Sequence, residues 1–195
     1  MKQEYTLTIY TENQVGLINK IAIMFSRRKI SLESFTTSPS EIEKIYRFTI
    51  VIRETETVVK NLVRQIEKIV DVFKCYCNTN DEIIWQQMAL YKVPTAIIVR
   101  EVKVERLLRK YGAKAVVIRE DYTVFEATGQ DEEINNLVSE LDRYGLIEFV
   151  KSSRIAIIKS SEGIHQKVLD MEKNDPSKKP INNEFLNHKS MIFEM

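Results

Sequence analysis

The chain has 195 residues, 44% of them apolar, with 29 lysines and arginines against 28 aspartates and glutamates. This is enough apolar material for one or two packed domains, and a formal net charge of +1 gives no long-range field to gather nucleic acid or anionic lipid. No apolar run approaches the roughly 20 residues of a membrane span, no secretory leader pattern opens the chain, and the cytoplasm is the expected compartment.

Alternation of Tyr5, Leu7 and Ile9 with Thr6, Thr8 and Tyr10 predicts a first strand over 4–11. A polar turn over 12–16 leads into a helix over 15–28, with Ile18, Ile21, Ala22 and Phe25 spaced near 3.6 residues. Strands are predicted at 32–38 and 46–52, the second with Tyr46, Phe48, Ile50 and Ile52 in phase. Thr55 or Thr57 can cap a second helix carrying Val58, Leu62, Ile66 and Ile69, and a last strand covers 71–80. The order β-α-β-β-α-β over 1–80 is the split-βαβ arrangement of a ferredoxin-like domain. Its two helices cover one face of a four-stranded antiparallel sheet, and the other face calls for another sheet or another subunit.

The order repeats over 81–159. A strand at 84–91 precedes a helix opened by Pro94, with Val104, Leu107, Leu108 and Tyr111 on its face. The β-branched run 97–99 weakens the start of that helix. Strands follow at 115–118 and 123–127, then a helix with Ile134, Leu137, Val138 and Leu141, ended by Gly145, and short strands at 147–150 and 155–158. The fold class is α+β: two ferredoxin-like domains plus a C-terminal extension over 160–195. In the extension, 162–172 is compatible with a short helix and 174–180 reads as a linker. Phe185, Leu186, Met191, Ile192, Phe193 and Met195 are expected to dock on the body or on a partner.

Catalytic and metal-binding patterns are missing. His165 and His188 have no carboxylate or cysteine at ligand spacing, and Cys75-x-Cys77 is neither a CxxC nor followed by a second pair. There is no HExxH, P-loop, GxGxxG or nucleophile–base spacing, so the chain is expected to be neither an enzyme nor a cofactor carrier. The turn remains. Outward amides at a helix start can hold a small anion or zwitterion, Asn13 can bond local backbone, and Gly16 keeps side-chain bulk away. A plain turn and helix cap is the competing explanation.

The stretch ENQVGLINKIAIMFSRRKISLESFT, with IEKIVDV further on, resembles the opening of the regulatory (small) subunit of acetohydroxyacid synthase, also called acetolactate synthase, whose first domain is an ACT domain. LYKV and VFEATG are further similar details within 82–159. The resemblance implies a non-catalytic subunit that forms a homodimer through its ACT sheets. It would bind a branched-chain amino acid, usually valine, at the dimer interface and activate a thiamine-diphosphate-dependent large subunit at the head of valine, leucine and isoleucine synthesis. Thiamine diphosphate, magnesium and FAD would belong to that large subunit and none to this chain. Asn13, Gly16 and Leu17 match the turn that receives the effector carboxylate. Ser31 stands where the family has an asparagine that reaches the effector from the neighbouring protomer, and Lys29 stands at the glycine of RRG. Serine cannot present an amide donor and a carbonyl acceptor together, so feedback is expected to be weakened, altered in ligand preference or lost, with activation kept. A stand-alone ACT-type amino-acid sensor is the alternative, and the second ferredoxin-like unit argues against it. An RNA-binding module of the same topology would need exposed aromatics and cations on the sheet face.

Overall fold

A computed structural model describes residues 1–161 and 163–174. The expected linker beyond Asn174, the apolar residues from Phe185 to Met195, His188 and the side chain of His165 lie outside them. Two units result: Met1–Ile84 with the described residues from Ile157 on, and Trp85–Ala156.

In the first unit β1 (Gln3–Glu12), α1 (Leu17–Arg27), β2 (Leu32–Pro39), β3 (Ile45–Glu54), α2 (Glu56–Ile66) and β4 (Val72–Thr79) follow one another. The sheet order is β2-β3-β1-β4 with every pair antiparallel, which is the ferredoxin-like arrangement. Register puts Phe35, Ile50, Leu7 and Cys77 in one row across the four strands. That row and its neighbours Ile9, Phe48 and Cys75 face the helices, where Leu17, Ile21 and Phe25 of α1 and Val59, Leu62 and Ile66 of α2 close the core. The two cysteines therefore serve as small apolar core residues. Burial pushes the Cys77 thiol up to about 12 and the Cys75 thiol higher still, so neither presents a thiolate near neutral pH. Thr55 takes the N-cap position of α2 without a side-chain cap. Its N–H donates to the Glu54 carboxylate instead, at 3.2 Å.

The second unit repeats the plan. β5 (Ile83–Pro94), β6 (Lys114–Ile118), β7 (Tyr122–Gly129) and β8 (Glu148–Lys151) form a sheet in the order β6-β7-β5-β8, and β9 (Ile155–Ile158) also pairs with β5. α3 (Thr95–Arg100), α4 (Val102–Lys110) and α5 (Asp131–Asp142) supply its helical side. The helix expected from Pro94 is thus two helices, because Glu101 turns extended (φ −110°, ψ 93°). The strand runs three residues further than its apolar alternation suggested, through Pro94 itself. Ile97 and Ile98 still reach the core, so the β-branched run is spent on a short helix that packs well but propagates poorly.

The outer face of the first sheet carries the most informative packing. Thr6, Thr8 and Tyr10 alternate with the inward Leu7 and Ile9. Over the Tyr10 end lies α6 (Ile164–Asn174), whose Val168 and Met171 are buried with Tyr10, Ile42 and Ile45 and packed by Phe73 and Tyr76. Tyr10 and Tyr76 meet edge to face at 6.1 Å, and the Lys167 ammonium sits 5.9 Å and 6.0 Å from their ring centres. Desolvation pulls the Lys167 ammonium below its usual range. The cover expected from another sheet or subunit is thus supplied, over this part of the face, by the chain's own extension.

Two measurements follow. Met171 is fully buried, so Met171→Ala should weaken the docking of α6 by about 2–3 kcal/mol. Amide exchange over 164–174 should accelerate while exchange in β1 and β3 stays slow. In the second unit, burial holds the Tyr91 phenol up at about 12, and its hydroxyl donates to the Ile134 carbonyl at 3.2 Å. The unfolded phenol ionises at about 10, so this contribution is whole below pH 10 and fades as pH climbs toward 12. Denaturant titrations at pH 9, 10 and 11 should show stability falling less steeply in Tyr91→Phe than in the parent chain.

Candidate functional site

The turn after β1 is held from both sides. The Glu12 N–H donates to the Asp71 carbonyl at 2.9 Å, which ties the strand end to the start of β4. The Gln14 N–H donates to the Glu12 carbonyl at 3.1 Å, and the Leu17 N–H to the Gln14 carbonyl at 3.3 Å. Gly16 then enters the left-handed region at φ +86°, a conformation that strains residues with a Cβ. Nothing lies within 4 Å of where a Cβ would stand, so the glycine is needed by the backbone and leaves open space above it.

The sequence-selected residues separate into two groups here. Asn13 and Gly16 are exposed, whereas the Leu17 side chain is buried in the core. Leu17 therefore anchors the helix start, and its amide is already taken by Gln14. No side chain caps α1 and no acidic residue lies in its first turn. Among the described residues the amides of Gly16, Ile18 and Asn19 donate to no backbone carbonyl. These outward N–H groups at the positive end of a helix dipole suit a carboxylate. Lys20 closes one side of the site through its ion pair with Asp71 at 3.1 Å. The sequence suggests that Glu12, Glu33 and Asp71 can lie near one another, and the Glu12 N–H bond to the Asp71 carbonyl brings the first and last of these together. Asp71 immediately precedes β4, the strand beside β1.

Ser31 lies elsewhere. It is exposed just beyond the far end of α1, and α1 has 11 residues, which span about 16 Å. Asn13 and Gly16 cannot share a small ligand with the Ser31 of the same chain. Between the two lies a Schellman ending: the Lys29 N–H donates to the Ser26 carbonyl and the Ile30 N–H to the Phe25 carbonyl, with Ile30 and Phe25 both in the core. This motif needs a left-handed residue after the cap. Lys29 takes it at φ +55°, which gives a backbone reason for the glycine expected at that position.

A family model for the AHAS small subunit-like ACT domain matches residues 7–74, and one for the small subunit of acetolactate synthase matches residues 86–160. The acetolactate synthase small subunit of Bacillus subtilis is 30% identical over 163 residues, which span 83% of this chain and 93% of that protein. The chain belongs to the acetolactate synthase small-subunit family. The small subunit of Mycolicibacterium smegmatis is 26% identical over 160 residues, 82% of this chain and 94% of that one. The crystal structure of the acetolactate synthase small subunit from Thermotoga maritima shares the fold, with a TM-score of 0.73 at 20% identity over 82% of this chain and 99% of that one. Both family models end before residue 161, so α6 lies beyond the part of this small-subunit chain that they describe.

The left-handed lysine is directly testable. Lys29→Gly should raise unfolding stability by about 1 kcal/mol, the strain of a side chain at positive φ less the extra freedom of glycine in the unfolded state. Lys29→Val should lower it, because a β-branched residue suits that region least. Urea titration of the three proteins checks the order.

Proposed function

We propose that this family member is the regulatory subunit of a thiamine-diphosphate-dependent acetolactate synthase. It attaches to the catalytic subunit in the cytoplasm, raises its activity and carries no active site of its own. The observation that carries this reading is the match of both halves of the chain to small subunits, over nearly the whole length of the Bacillus subtilis relative.

In this reading the chain works as a homodimer through its ACT sheets. β2 is an edge of the first sheet, the kind of strand along which a second copy can pair. The distance between Gly16 and Ser31 along α1 supports the same arrangement, since a ligand touching both must lie between two copies. The effector is a branched-chain amino acid. Its carboxylate meets the amides of the Asn13–Gly16 turn, and Ser31 of the second protomer offers a hydroxyl where an asparagine would offer both an acceptor and a donor pair.

One missing buried hydrogen bond weakens binding by about 1–3 kcal/mol, a factor on the order of ten or more. The parent chain should therefore bind valine, leucine and isoleucine weakly in calorimetric titration, and Ser31→Asn should tighten at least one of them about tenfold. Tight valine binding by the parent chain would contradict the reading of Ser31. Acetolactate formation by the purified catalytic subunit should rise when the chain is added, and no rise would overturn the regulatory assignment.

A further inference from the structure

On the helical side of the first unit, α1 and the end of α2 border an open groove of about 570 Å³. Met24 and Ile69 form its apolar floor, half-buried against the core, and Ile23 stands at its lip with 49% of its surface exposed. Three cations rim it: Lys20, Arg27 and Arg28. Lys20 is neutralised by Asp71. The Arg28 guanidinium donates to the Met24 carbonyl at 2.8 Å, which fixes it beside the floor, and Arg27 is exposed. Neither arginine has a carboxylate at ion-pair distance among the described residues. An apolar floor beside two guanidiniums without a carboxylate among the described residues matches one kind of partner, an amphipathic segment with acidic residues along its edge. A purely apolar partner would desolvate the guanidiniums without pairing them. Two unpaired guanidiniums beside an apolar strip, among the described residues lining the groove, are a small footprint for a nucleic acid.

We propose that this groove receives an acidic, apolar segment of the catalytic subunit, with apolar side chains on Ile23 and Met24 and carboxylates on Arg27 and Arg28. The proposal rests on the regulatory-subunit reading and adds the surface by which the two proteins meet. Arginines beside a small apolar centre are the composition of an interface that binds through a few residues. Because Arg27 is exposed and Arg28 only half-buried, the association should weaken as salt rises.

The test uses the full chain and the purified catalytic subunit, with affinity measured by titration calorimetry at low and high salt. Ile23→Asp places a charge on the exposed lip and outside the core, and Arg27→Gln removes a cation while keeping the helix. Val116→Asp, at an exposed apolar position of the second unit, is the control, and thermal melts verify that all three variants fold. We expect each groove variant to lose tenfold or more in affinity, the control to bind like the parent, and parent binding to fall with salt. Parent-like affinity in both groove variants, or an equal loss in Val116→Asp, overturns the groove and leaves the regulatory assignment standing. Failure of the parent chain to bind the catalytic subunit overturns the assignment itself, and the groove with it.

Discussion

The two-sidedness of β1 governs the first unit. Leu7 and Ile9 point to the helices while Thr6, Thr8 and Tyr10 point away, and β1 lies inside the sheet between β3 and β4. A slip of one residue would exchange the two sets. The core would then lose its central row, α6 would lose the tyrosine on which it rests, and the Glu12 bond to Asp71 that sets the turn would be misplaced. Core, cover and turn thus depend on one alternation in ten residues.

α1 converts that alternation into chemistry. Leu17 and Ile30 clamp the helix and its ending at both ends by burial, so the exposed groups at each end are presented in fixed directions. The N-terminal end offers backbone amides, and the C-terminal end carries Arg27 and Arg28, which also complement the negative pole of the helix dipole. Both ends are consequently suited to carboxylates. The Lys20–Asp71 ion pair stands between them: Lys20 borders the groove, and the Asp71 carbonyl holds the turn.

Much of this fold is legible in the sequence, because apolar alternation and 3.6-residue spacing report directly on which side chains are buried. Both βαββαβ units could be read that way. Other details are ones that periodicity does not encode. Pro94 can open a helix, yet it also serves as the last residue of a strand, and the break at Glu101 is a backbone conformation without a residue signature. Leu17 stands within the turn motif, but its apolar side chain belongs to the core. Lys29 stands at the glycine of RRG, and it is the Schellman bonds that give this position its backbone role. The seat of α6 required knowing which face of the sheet was open, and tertiary packing alone decides that.

α6 also changes what counts as the minimal protein. Cutting this chain at the residue where its family models stop would leave Tyr10, Phe73 and Tyr76 without the Val168 and Met171 that cover them. Such a fragment would keep every residue of the family pattern and still present a wet aromatic patch on its sheet. For this small subunit, the boundary drawn by kinship and the boundary drawn by burial fall at different residues.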